Sequence, residues 1–306
     1  MTVELGSMPI AGIGLAVASA AALTVGNVLQ ARGVRVMETR ASGGGASKLL
    51  HLLRNRVWLL GGVLLGVSIL LQMGSLTFAP LIVVQPIGVV ALVFTALLTA
   101  IATKQAPSSQ VVRAIAVCVI GVAVFVTVAA LVSTQHAITD VQLVAVLVAL
   151  AVVVVVTLVL LLTSRSRATK PIVWVLLAGV NSAFVATLGK TVILRVQTVL
   201  QTKNFEVDES NLLTIGCLLG IGVAGGLSVY LVQRAHAVNR PEVVIAGLTV
   251  VDPAVAVVLG ITILGEASNA PFWSILIFIA AGAVAIAGVI ALSRAESTTE
   301  VAGTQA

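Results

Sequence analysis

The sequence predicts an all-α integral membrane protein in which nine transmembrane helices form an inverted 4+1+4 repeat. Three observations lead to this prediction: the composition, the length of the apolar segments and an internal repeat. Of the 306 residues, 59% are hydrophobic and 9% are charged, and the mean hydropathy is +1.17. A soluble domain of this length cannot bury so much apolar surface. The apolar segments are continuous rather than alternating, which excludes a transmembrane β-barrel.

Apolar segments of roughly 20 residues, the length that crosses the hydrocarbon core as a helix, recur along the whole chain. The predicted spans are about 8–31, 57–78, 81–103, 111–132, 140–163, 172–197, 211–233, 242–264 and 272–293. Spans 1–4 would form a first repeat (8–132) with a cytoplasmic loop at 32–56, and spans 6–9 a second repeat (172–293). The helix at 140–163 would link them, and the tail 294–306 would be disordered.

Charged residues divide the loops into two groups, which fixes the predicted orientation. The cations of one group are Arg32, Arg35, Arg40, Lys48, Arg54, Arg56, Lys104, Arg113, Arg165, Arg167, Lys170, Arg234, Arg240 and Arg294. The opposite loops carry mostly acidic residues, namely Glu4, Asp140, Glu206, Asp208, Glu209 and Glu266. Because basic loops stay in the cytoplasm, the N-terminus is expected outside and the C-terminus in the cytoplasm, with the chain crossing the plasma (inner) membrane several times.

The chain contains two related halves. A shift of 163 residues places span 1 on span 6, and a shift of 161 places spans 2–4 on spans 7–9. The matches include Ser19 with Ser182, Thr24 with Thr187, Arg32 with Arg195, Gln72 with Gln233 and Pro80 with Pro241. A single helix between the copies would turn the second upside down. Inverted repeats of this kind are a recurring transporter design, with the binding site near the midplane between the repeats.

Three segments then carry a resemblance to a known family. They are Ala79 to Ile87 (APLIVVQPI), Ala183 to Lys190 (AFVATLGK) and Leu264 to Ala267 (LGEA). In these segments the chain resembles the NIPA-like and EamA-like branch of the drug/metabolite transporter (DMT) superfamily. The resemblance implies a DMT-like transporter fold. It also implies a choice of substrates, since NIPA proteins are described as magnesium transporters and other relatives export metabolites, drugs or sugar conjugates.

Lys190 and Asp252 are charged residues inside predicted spans 6 and 8. An ionised side chain in hydrocarbon costs about 2.5–3.5 kcal/mol by insertion scales, so such groups face a partner or a hydrated cavity. We interpret both as substrate-binding residues: Lys190 would meet an anionic or zwitterionic solute, and Asp252 would tune its charge or carry a proton. The alternative is a buried Lys190–Asp252 ion pair that holds helices together.

Other residues complete the predicted site, which spans 1, 3, 6 and 8 would line. The further substrate-binding candidates are Asn27, Gln30, Gln72, Gln85, Thr187 and Tyr230. Pro86 and Pro253 would kink or break spans 3 and 8 and expose backbone groups to the site, with kinks that serve packing alone as the alternative. Asn181 and Ser182 are expected to form hydrogen bonds between helices.

No motif in the sequence points to catalysis or to a cofactor. The histidines do not pair with cysteine or carboxylate at ligand spacing, and there is no phosphate-binding loop and no Gly-x-Ser-x-Gly segment. We therefore expect no enzymatic activity, no cofactor and no metal site. The expected partners are a small-molecule substrate and membrane lipids, without nucleic acid. The oligomeric state is left open, with a homodimer as one alternative.

Three functions follow as hypotheses. The first is a secondary transporter that moves an anionic or zwitterionic metabolite or drug by alternating access. The second, from the resemblance, is a magnesium transporter, although a lysine near Asp252 would disfavour a dication. The third is a non-transporting membrane subunit or a lipid-binding envelope assembly factor.

Overall fold

The computed structural model of the chain describes residues 8–38, 55–104, 106–163, 170–202, 209–239 and 241–304. These residues form ten α-helices: α1 (Pro9–Glu38), α2 (Arg56–Phe78), α3 (Leu81–Ile87), α4 (Val90–Thr103), α5 (Ser109–Val132), α6 (Asp140–Thr163), α7 (Ile172–Thr202), α8 (Glu209–Val238), α9 (Pro241–Thr262) and α10 (Phe272–Thr304). Most of the predicted loop 32–56 lies outside the described residues. The all-helical class is confirmed.

The nine predicted spans correspond to nine stretches of the described helices that are long and apolar enough to cross a membrane. The third of these, Leu81–Ile101, consists of α3 and α4. The last helix continues to Thr304, so residues 294–304, for which the sequence predicts a disordered tail, are helical in the structure. The sidedness of the helices in the membrane stays a prediction.

The two prolines predicted to interrupt spans behave differently. The helix that contains Pro86 ends at Ile87, and the N–H groups of Gly88 and Val89 bond to Gln85 and Pro86 in a turn before α4 begins. Pro253, by contrast, lies inside α9, which continues through it to Thr262. A broken helix is therefore found at the first proline only.

Helix pairs and a central short helix organise the bundle. The most extensive contacts join α1 to α2, α7 to α8 and α5 to α10, and α9 packs across α7. The side chains of α3 from Leu81 to Val84 are completely buried, which places this helix in the centre. Two related copies of one unit are expected to show the same helix pairing, and α1 pairs with α2 as α7 pairs with α8. The inverted relation of the two copies remains a prediction.

Glycines allow α5 and α10 to approach each other closely. A Cβ on Gly288 would lie 2.4 Å from the backbone nitrogen and 2.6 Å from the Cα of Cys118. Since both are backbone atoms, a side chain at this position would push the two helices apart. The same helix carries Gly282, where a Cβ would have no neighbour within 4 Å.

This difference gives a matched pair of variants on one helix. We expect Gly288→Ala to lower the free energy of unfolding by about 1–3 kcal/mol, the usual cost of overpacking. Gly282→Ala should leave stability unchanged or raise it, since alanine favours a helix over glycine. Thermal unfolding of both purified variants in detergent, followed by tryptophan fluorescence, checks this. Equal melting temperatures would contradict the packing of α5 on α10.

Candidate functional site

Lys190 caps the C-terminal end of α2. Its side chain is completely buried, and its ammonium group donates hydrogen bonds to the carbonyl oxygens of Leu76 and Ala79, the latter at 2.8 Å. The last carbonyls of a helix have no partner within the helix and carry partial negative charge. A cation at this place therefore satisfies groups that would otherwise be buried without hydrogen bonds.

Glu266 caps the N-terminal end of α3. It belongs to the connection between α9 and α10, and only 3% of it is exposed. Its Oε1 accepts from the N–H of Leu81 at 2.7 Å, and its Oε2 accepts from the N–H of Ile82 at 2.8 Å. Burial raises the pKa of the Glu266 carboxyl above its ordinary value, and the charge of Lys190 and the two N–H groups act against that rise.

Between the two caps the chain turns at Ala79 and Pro80. We call Lys190, Glu266 and the backbone groups that they bind the α2–α3 double cap. Two amides support it, since Gln135 and Gln197 both donate to the carbonyl oxygen of Thr77, at 3.2 Å and 3.1 Å. The loop after α5, the helix α7 and the loop after α9 therefore converge on a single helix junction.

In the double cap the Lys190 ammonium is bonded to backbone carbonyl oxygens, and its predicted role in binding a substrate stays a prediction. Among the described residues an ion pair joins Arg195 and Asp140, at 3.8 Å, whereas Lys190 and Asp252 do not form the ion pair considered above. Asp252 is instead bonded to Ser182, eight residues before Lys190 on α7. At 1.5 Å per residue, this separation corresponds to about 12 Å along the helix axis.

Asp252 has one bonded and one unpaired carboxylate oxygen. Its Oδ2 accepts a hydrogen bond from the Ser182 hydroxyl at 2.6 Å, a length typical of a hydroxyl bonded to an ionised carboxylate. Its Oδ1 is buried and has no hydrogen-bond partner. A buried unpaired carboxylate oxygen is costly, which makes it a candidate for binding a ligand.

Close packing of α7 against α9 brings Ser182 and Asp252 together. A Cβ on Gly247 of α9 would lie 2.4 Å from Val175, and a Cβ on Gly179 of α7 would lie 2.7 Å from Val251. Without side chains at these two positions, the backbones approach closely enough for the serine hydroxyl to reach the carboxylate. The interhelical hydrogen bond predicted for Ser182 is confirmed, and so is that of Asn181, whose Nδ2 donates to Thr157 at 3.4 Å.

The remaining predicted site residues occupy separate environments. Thr187 is buried, and its hydroxyl donates to Ala183 within its own helix. Tyr230 is half exposed, and its hydroxyl accepts from Arg234. Asn27 is exposed, whereas the partly buried residues are Gln30, Gln72 and Gln85. Of the predicted set, only Asp252 combines burial with an unpaired charged atom.

Pro86 and Pro253 do line a common cavity, of about 540 Å³. Its walls come from α3, α5, α9 and α10, from Val89 after α3 and from the connection between α9 and α10. They are almost entirely apolar, with Phe125 and Phe278 among them and Thr249 as the polar residue. Two of these helices, α3 and α9, belong to the predicted spans 3 and 8. The polar site expected between spans 1, 3, 6 and 8 stays a prediction. This cavity is not the polar pocket that the sequence predicts.

The described residues contain no group of three or more histidine, cysteine, aspartate or glutamate side chains that could hold a metal ion. Two residues of the site were assigned other places by sequence reasoning. The sequence reasoning assigns Glu266 to a loop on the outer side of the membrane and gives Ser182 a structural hydrogen bond between helices. The sequence did contain a signal for the capping role of Glu266, since this acidic residue directly follows an apolar span in the segment LGEA.

The nine spans and the buried polar groups within them define a multi-pass membrane protein. Residues 8–298 match the model of a protein family described as magnesium transporter NIPA, and the chain therefore belongs to that family. NIPA proteins form part of the DMT-like superfamily of membrane transporters, so the resemblance predicted from three short segments is confirmed. No curated protein and no solved structure matches the chain.

The double cap yields a prediction on stability. We expect Lys190→Met and Glu266→Gln each to lower the free energy of unfolding by about 3–5 kcal/mol, because each leaves a buried charge or backbone group without its partner. The double variant should lose less than the sum of the two single losses. Chemical unfolding in detergent micelles measures all three.

The matched control is Asp140→Asn, since the Asp140 side chain is 57% exposed. The Asp140 carboxylate is solvent-exposed, although the Arg195 side chain that it meets is 18% exposed, so we expect a change within about 1 kcal/mol, smaller than that of either double-cap variant. Strict additivity of the Lys190 and Glu266 losses would contradict the double cap.

Proposed function

We propose that this chain transports Mg²⁺ across the membrane by alternating access, and that Asp252 is the carboxylate that binds the ion. The single observation that carries the proposal is the Oδ1 atom of Asp252, which is buried and unpaired in the middle of a membrane span. Membership of the NIPA family supports transport as the activity. The negative charge of the Asp252 carboxylate within a membrane span supports a cation as the transported species.

The charges within the spans favour a cation over an anion. Lys190 is the group that an anionic or zwitterionic solute would need, yet its ammonium is fully buried and bonded to two carbonyl oxygens. An anion could reach it only after the α2–α3 double cap had opened. Asp252, in contrast, already has an oxygen without a partner. The objection that a nearby lysine would repel a dication is also weaker, because Asp252 is bonded to Ser182 on α7, whereas the Lys190 ammonium is bonded to carbonyl oxygens at the end of α2.

The chemistry of Mg²⁺ suits a single carboxylate. Magnesium prefers oxygen ligands, loses its water reluctantly, and is commonly bound through one or two carboxylates while it keeps several waters. A cage of several acidic side chains is therefore not required. The described residues offer no such cage, so the proposed cargo is an ion that remains partly hydrated at Asp252.

The test is Mg²⁺ uptake into proteoliposomes that contain a fluorescent magnesium indicator. We expect Asp252→Asn to reduce uptake at least tenfold, because an amide oxygen has no net charge to attract the ion and to offset its lost hydration. Asp140→Asn is the control, since it removes a carboxylate that is largely exposed. Wild-type uptake by folded Asp252→Asn would overturn the proposal.

A further inference from the structure

We infer that Ser182 is a positioning residue for the transported cation: its hydroxyl holds Oδ2 of Asp252 so that Oδ1 is left free to bind the ion. The inference rests on the proposed function of Asp252 and adds a second residue, on another helix, to that site. Ser182 itself need not touch the ion. Its role is to fix the direction in which the carboxylate presents its unpaired oxygen.

The hydrogen bond has a defined direction. An ionised carboxylate only accepts hydrogen bonds, so the hydroxyl of Ser182 must donate its single proton to Oδ2. The terminal torsion of an aspartate side chain has broad, roughly two-fold preferences and sets no firm orientation by itself. Without the serine hydroxyl, Oδ1 and Oδ2 would be equivalent and both would lack a partner. The 2.6 Å bond is therefore what distinguishes the two oxygens.

No other charged group near Asp252 can take over this role. Helices α3 and α4 contain no charged residue, and α9 itself carries none between Glu242 and Asp252. On α7 the next charge is Lys190, about 12 Å along the axis from Ser182, and it is held by the α2–α3 double cap. Helix α8 has Glu209 in its first turn and its basic residues in its last turns, and α10 carries charges only from Arg294 onward. The orientation of the Asp252 carboxylate therefore depends on one hydroxyl group.

The first repeat shows what the equivalent serine does without a carboxylate. Ser19, which the shift of 163 residues aligns with Ser182, donates to the carbonyl oxygen of Ser68 at 2.8 Å. Ser68 returns a hydrogen bond to the carbonyl oxygen of Ser19 at 3.0 Å. This reciprocal pair joins α1 to α2 and leaves neither hydroxyl unpaired. Ser182 instead reaches an acidic residue on α9, so only the second repeat uses this position to orient a charge.

The experiment measures initial Mg²⁺ uptake in proteoliposomes over a range of external Mg²⁺ concentrations. We expect Ser182→Ala to raise KM about tenfold with little change in kcat, since a hydrogen bond to a charged group is worth at least the equivalent of a tenfold change in binding. Ser182→Thr keeps the hydroxyl and should restore KM to within about twofold of wild type. Ser19→Ala is the matched control, which should lower the melting temperature and leave KM unchanged.

A second measurement does not depend on transport. Bound Mg²⁺ should raise the melting temperature of the purified protein, and Ser182→Ala should move the half-saturating Mg²⁺ concentration upward by the same factor as KM. If Ser182→Ala does not fold, Ser182→Cys, with a weaker donor, is expected to show an intermediate shift in both measurements.

The outcomes separate this inference from the proposed function. An unchanged or lower KM in folded Ser182→Ala, combined with loss of uptake in Asp252→Asn, overturns the role of Ser182 alone. Failure of Ser182→Thr to restore KM also overturns it, because the effect would then follow from side-chain shape. Wild-type uptake in Asp252→Asn would instead overturn magnesium binding at Asp252.

Discussion

The fold depends on satisfying the backbone groups of one helix junction within the membrane protein. Where α2 ends and α3 begins, carbonyl and N–H groups have no helical partners, and an unsatisfied group in this environment costs several kcal/mol. Lys190 provides positive charge for the carbonyls, and Glu266 provides negative charge for the N–H groups. Because these residues come from α7 and from the loop after α9, the junction ties distant parts of the chain to the buried helix α3.

The two charged residues that are most prominent in the sequence thus serve different purposes. Lys190 is buried and bonded to backbone, so its charge contributes to the architecture of the bundle. Asp252 is bonded to a single hydroxyl and keeps an oxygen unpaired. The cost of burying charge is offset by two backbone carbonyl oxygens for Lys190, but by one hydroxyl group, at one of two oxygens, for Asp252. This asymmetry is what makes a cation the better candidate for the cargo of a chain in the NIPA family.

Hydropathy alone was enough to predict the helices, because each span must carry a long apolar segment whatever its neighbours are. Local chemistry also predicted the break after Pro86 and the interhelical bond of Ser182. The partners of Lys190 and Glu266 could not be predicted, since they are backbone groups whose exposure depends on where two helices end in space. The helices that line the cavity at Pro86 and Pro253 also could not be predicted, because apolar spans give little indication of which neighbours they will contact.

The cavity between α3, α5, α9 and α10 has a mechanical consequence. Protein interiors are packed nearly as densely as crystals, so most helices can move only if their neighbours move too. Helix α9 differs, because Pro253 and Val257 border about 540 Å³ that no protein atom fills. A small displacement of α9 toward this free volume meets little steric resistance, and it would carry the neighbouring carboxylate away from α7.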